Sequence, residues 1–182
     1  MIYDFIVLRC GLPIYTMNFD PSRGLSHDQK KFTLISGFFS AISTFVDSVD
    51  NIGQVDEIQM SSDLFFSFRR ISFAQGDVLF VLSSDQTTPK THRREIIKDA
   101  SEEFLSTYMQ VLTTEWDGKI ESFHGFDDAL MGIIKHILSK SSGYHTSSEE
   151  LDTQILGTLK SASQMHYRSE ERRVGKECRS RW

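Results

Sequence analysis

The chain has 182 residues, 39% of them hydrophobic and 25% charged, with a formal net charge of −5. That length suffices for one core of ordinary size, and only two cysteines, Cys10 and Cys178, are present, too few for a framework of several disulfides. No apolar run approaches the roughly 18–20 residues of a membrane span, and the start carries Asp4 rather than a basic signal-peptide head.

The opening residues 2–9, IYDFIVLR, are β-branched and aromatic on both alternating faces, the pattern of a central strand covered on both sides. Gly11, Leu12 and Pro13 supply turn chemistry, and residues 14–19 return as a second strand of a hairpin. Residues 20–27, with Pro21, Ser22, Gly24 and Ser26, read as a loop. Cys10, between strand and turn, is expected to be a small packing residue rather than a nucleophile.

The clearest helix follows. Ile35, Phe38, Phe39, Ile42, Phe45, Val46 and Val49 recur at three- and four-residue spacings and predict one wide buried stripe. Phenylalanine is a modest helix former, so burial must stabilise this segment. Asn51 and Gly53 mark its end. Three strands are then expected at 57–61, 64–71 and 77–84, separated by Ser62-Asp63 and Gln75-Gly76. The wholly apolar stretch 78–82 (VLFVL) predicts a second central strand.

Thr88 and Pro89 open a second helix, with Ile97, Ala100, Phe104, Tyr108 and Val111 on its apolar side. A loop through Trp116, expected as a core anchor, and residues 120–126 leads to a third helix over 127–139 with Leu130, Ile133, Ile134 and Ile137 inward. Ser147 and Glu150 have capping-box spacing ahead of Leu151, Ile155 and Leu159, a weak fourth helix.

Residues 168–182 read RSEERRVGKECRSRW, which resembles the in-frame translation of a sequencing-library adapter, and are set aside as non-native. They hold six of the 20 Lys+Arg and three of the 25 Asp+Glu, leaving 14 against 22 and a net charge near −8. An acidic body without a basic stripe argues against nucleic acid. Cys178 also falls there, leaving Cys10 alone and favouring a reducing, cytoplasmic compartment. The expected organisation is a domain over 1–140, an extension over 141–167 and the tail over 168–182.

The order strand, strand, helix, three strands, two helices resembles that of the longin domain. The opening IYDFIVLRCGLPIYTMNFD looks like that family's first hairpin. FTLISGFFSAISTFVDSV resembles its first helix through Gly37-Phe38, Ser40, Ala41 and Ile42. EWDGKIESFHGFDDALMGII is similar to the Trp-x-Gly, Phe, Phe segment of longin-type proteins from archaea related to the eukaryotic lineage. The resemblance covers about residues 1–138 and implies an α/β (α+β) fold. Its five-stranded antiparallel sheet would run in order 2-1-5-4-3, with one helix on one face and two on the other. It further implies a non-enzymatic platform without cofactor or metal, peripheral at a membrane through a partner where it meets one. The partner would be another longin or roadblock-type chain, giving a homo- or heterodimer, or a small GTPase, as in vesicle trafficking.

Exposed edge strands recruit partners by strand addition. The candidate partner-binding residues are therefore Ile14, Tyr15, Met17, Glu57 and Gln59 on the two edges, with Arg69 and Arg70, whose side chains point to opposite faces. No phosphate loop or nucleophile elbow is present. His124, Asp127, Asp128 and His136 form the one constellation with metal or acid–base potential, the basis of a metal-dependent hydrolase alternative. The aspartates equally suit a helix first turn, where they face the positive dipole end. A third reading is a small-molecule sensor with an aromatic-rich pocket.

Overall fold

Seven of the eight residues of strand β1 (Ile2–Arg9) are buried, as are seven of the ten in β5 (Gly76–Asp85), so apolar residues on both faces of each strand are covered. The two pair antiparallel, with Phe5 opposite Leu82 and Val7 opposite Phe80, at the centre of a five-stranded antiparallel sheet. Its order is β2-β1-β5-β4-β3, where β2 is Leu12–Asn18, β3 Glu57–Gln59 and β4 Leu64–Phe73. The helices are α1 (Gln29–Ser48), α2 (Lys90–Thr113) and α3 (Asp127–Ser141), making an α+β fold. This computed structural model describes residues 1–22, 25, 29–48, 54–60, 63–74, 76–114 and 120–141. Trp116, the stop signals Asn51 and Gly53, the weak fourth helix and the tail over 168–182 all lie outside the described residues.

Side-chain alternation along the strands divides the buried residues into two clusters. Phe5, Val7, Phe80 and Leu82 join Ile96 and Phe104 of α2 and Leu130 and Ile134 of α3. Ile6, Leu8, Leu79 and Val81 join Phe66 of β4 and Phe39 of α1. Phe104 is the hub of the first cluster, its ring centroid 4.9 Å from Tyr108, 5.0 Å from Phe126, 5.5 Å from Phe123 and 5.7 Å from Phe80. Edge, tilted and stacked ring pairs at such distances add stability beyond the area they bury.

Several segments differ from the sequence expectation. Cys10 is exposed, not packed: with φ 47° it shares with Gly11, φ 82°, the two-residue turn between β1 and β2. Positive φ at both central residues is the primed geometry that suits the right-handed twist of a hairpin. An added Cβ on Gly11 would sit 2.9 Å from Ser40 Oγ, so the glycine also lets the hairpin tip approach α1. Strand β2 accordingly starts at Leu12, earlier than Gly-Leu-Pro turn chemistry suggested. Residues 120–126 are a 3₁₀ segment rather than a loop, because Phe123 and Phe126, three apart, both turn into the first cluster. Strand β3 spans only three residues, while β4 and β5 extend to meet at Phe73 and Gly76.

The stripe on α1 is narrower than the spacing predicts. Phe39 and Val46 are buried and Ile35 and Ile42 half-buried, but Phe38 is 48% and Phe45 65% exposed. Each exposed phenylalanine precedes a buried residue by one position and is rotated from it by about 100°. One sheet face covers only one such arc.

Candidate interaction surfaces

Both sheet edges carry less free side chain than the sequence implied. On β2, Ile14 and Tyr15 are buried in the first cluster and Met17 is half-buried against it. The Tyr15 hydroxyl donates to Asp127 Oδ1 at 2.7 Å. Burial, then this bond and the Asp127 charge, push the Tyr15 phenol far above its ordinary value. A partner strand on β2 would therefore meet backbone at these positions rather than their side chains.

On β3, Glu57 is engaged within the fold, whereas Gln59 is exposed. Arg93 Nε donates to Glu57 Oε2 at 2.9 Å, Lys90 Nζ lies 3.5 Å from Oε1, and Ser67 Oγ donates at 3.3 Å. Burial raises the Glu57 carboxyl, but the hydrogen bond and charge of Arg93, with Lys90, outweigh it and hold the group below its ordinary range. Arg93 itself is 4% exposed, donates to the Thr88 carbonyl and lies over the Phe65 ring at 4.3 Å. Its charge alone does not point to this role. The available signal is its place on the apolar side of α2, four residues before Ile97.

Arg69 and Arg70 do face opposite ways. Arg69 reaches α2, donating to the Lys98 carbonyl and to Glu102, each at 3.0 Å. Arg70 donates to Asp77 at 3.0 Å and stands on a groove between α1 and β4 floored by Phe39, Phe68 and Leu79. That groove encloses only about 20 Å³, space for roughly one water.

The largest exposed apolar side chains of any described helix are on α1: Leu34 at 75%, Phe38 at 48% and Phe45 at 65%. Every exposed residue described on α1 between Thr33 and Ser48 is uncharged. Helix α2, by contrast, shows Lys90, Arg94, Lys98, Glu102 and Glu103 to solvent.

The titratable constellation does not assemble into one site. Asp127 is taken by Tyr15, while His124, Asp128 and His136 are exposed. Asp127 and Asp128 occupy the first turn of α3. Among the described residues no three His, Cys, Asp or Glu side chains come together as metal ligands do, and no helix is long and apolar enough to cross a membrane. No known protein-family model and no curated protein matches the chain.

Proposed function

We propose that this chain is a longin-like domain: a non-enzymatic platform that binds other proteins, as a partner or regulator of small GTPases or of a trafficking-type complex. The observation that carries the reading is the strand order 2-1-5-4-3 around two apolar central strands. Residues of α1 sit in one cluster and residues of α2 and α3 in the other, which fits the one-against-two helix arrangement of that fold. A domain of this kind acts in the cytoplasm, or at a membrane surface through its partner. Recognition by strand addition would use the backbone of β2 and the short edge of β3 beside Gln59. Fold alone does not carry function, so the partner class rests on this analogy.

Among the described residues, the aromatic cluster around Phe104 is the feature favouring a small-molecule sensor. Its rings pack against one another, and the groove near Arg70 is far below the roughly 300 Å³ of ordinary ligand pockets. The test is affinity capture of purified chain with small GTPases loaded with GDP or a non-hydrolysable GTP analogue, and with longin and roadblock-type chains. Saturable binding to one of them supports the platform. Failure across both panels, with a metabolite raising the melting temperature instead, transfers the assignment to the sensor.

A further inference from the structure

We propose that the charge-free flank of α1 is a self-association surface, on which a second copy of this chain docks its own α1 antiparallel. The inference does not depend on the longin reading.

A surface helix ordinarily turns a charged face to water, and a helix apolar all round is ordinarily buried. Between Phe32 and Val46 α1 has no charged residue, yet only one arc meets the sheet. Leu34, Phe38, Ala41 and Phe45 are exposed, and each precedes one of Ile35, Phe39, Ile42 and Val46. They therefore form a second stripe along the helix, about 100° round from the first. Gly37 lies on the same solvent side, and nothing within 4 Å would meet a Cβ there. The fold itself does not require that glycine, which costs about 1 kcal/mol of helix propensity against alanine. Close approach of another backbone does call for it.

The pattern is self-complementary, which points to a second copy as the occupant. Antiparallel pairing about a two-fold axis between residues 39 and 40 sets Leu34 opposite Phe45 and Phe38 opposite Ala41, twice over. A large ring then faces a small residue near the axis, and two large side chains meet at each end. That is the reciprocity an isologous interface needs. Charge agrees: the chain is acidic overall, and this flank lets two copies meet without opposing carboxylates. A basic partner would find no anion on it. The charge-free stretch from Phe32 to Val46 is about 22 Å long and about 10 Å wide, so it offers roughly 220 Å² per copy, well below the roughly 800 Å² per partner of a standard interface. The dimer is accordingly weak and concentration-dependent.

Sedimentation velocity of the full chain over a wide concentration range should show the average mass rising from monomer toward dimer. Phe38→Glu and Phe45→Glu should each raise the dissociation constant by about tenfold or more. Because both positions are exposed, the thermal unfolding of the monomer should stay close to that of the parent. In a background carrying Cys10→Ser and Cys178→Ser, mild oxidation of mixed Phe38→Cys and Ala41→Cys variants should give more covalent dimer than either variant alone. A chain that remains monomeric at every concentration overturns the proposal, whether the flank stays bare or residues 142–167 cover it. So does a dimer indifferent to both glutamates. Mixed cross-linking no better than single overturns the antiparallel register.

Discussion

Arg93, in the first turn of α2, donates from Nε to the Glu57 carboxylate at 2.9 Å and so ties that helix to the edge strand β3. The guanidinium is 4% exposed, and β3 has only three residues of ladder to hold it in the sheet. Removing the carboxylate leaves a buried cation without its principal counter-charge, an arrangement that costs about 3–5 kcal/mol. Glu57→Ala should therefore lower the unfolding free energy by about 3 kcal/mol, read by urea titration. Replacing both partners with apolar residues, Glu57→Leu with Arg93→Met, should recover much of that loss. A single alanine that leaves the urea midpoint unchanged would show that β3 is held by other means.

Acid sensitivity follows from the same carboxylate and from Asp85. Burial raises Asp85, but hydrogen bonds from the Met1 ammonium and Thr87, with the ammonium charge, outweigh it and hold the carboxyl at about 2, against 3.8 unperturbed. Glu57 is also lowered, from 4.5. A group depressed in the folded state binds its proton more weakly there than in the unfolded chain, so acid favours unfolding. The stabilisation is complete above about pH 4.5 and is lost as pH falls, the Asp85 share between about pH 4 and pH 2. Urea midpoints measured from pH 7 to pH 2 should decline through that window, and Asp85→Asn should flatten the lower part of the decline.

How far the sequence could be read depended on whether neighbours along the chain were enough to decide a residue's fate. Val78 to Leu82 declared a central strand because every side chain is apolar, which only two-sided burial explains. The segment of Phe123 and Phe126 reads as a loop in sequence, since their three-residue spacing matches no strand or long helix and their burial depends on distant Phe104. Glu57 looked like a free edge charge because its partner lies 36 positions away. Ile14 and Tyr15 were legible as strand residues but not as core, because their cover comes from α2, α3 and the 3₁₀ segment. That Arg69 and Arg70 point to opposite faces needs pleat alternation alone.

The Tyr15 hydroxyl bond to Asp127 joins β2 to the start of α3. Asp127 is exposed, so Tyr15→Phe removes the bond without stranding a buried carboxylate, and the expected loss is about 1–2 kcal/mol. The pH dependence has the opposite sense to that of the carboxylates. The folded phenol is raised above its ordinary 10.0, and Tyr108 is raised too, by burial and then by the Asp127 charge. Their stabilisation is complete below about pH 10 and is lost as pH rises beyond it, where the unfolded phenols ionise first. Unfolding measured from pH 8 to pH 11.5 should steepen above pH 10, and less so in Tyr15→Phe. Equal alkaline slopes for parent and variant would remove Tyr15 from the account.

Phe38 and Phe39 are adjacent in sequence and unlike in consequence. Phe39 is 1% exposed, with ring centroids 5.0 Å from Phe66 and 5.2 Å from Phe68. Truncating it opens a cavity between α1 and the sheet, and Phe39→Ala should cost about 3–5 kcal/mol. Phe38 is 48% exposed, and its ring centroid lies 5.9 Å from that of Phe39. Truncation there loses only part of a side chain's burial, so Phe38→Ala should cost about 1 kcal/mol or less. Urea unfolding of the two alanine variants at low protein concentration separates them. Equal losses would mean that the sheet covers both rings, which would leave the second apolar stripe without its distinct character.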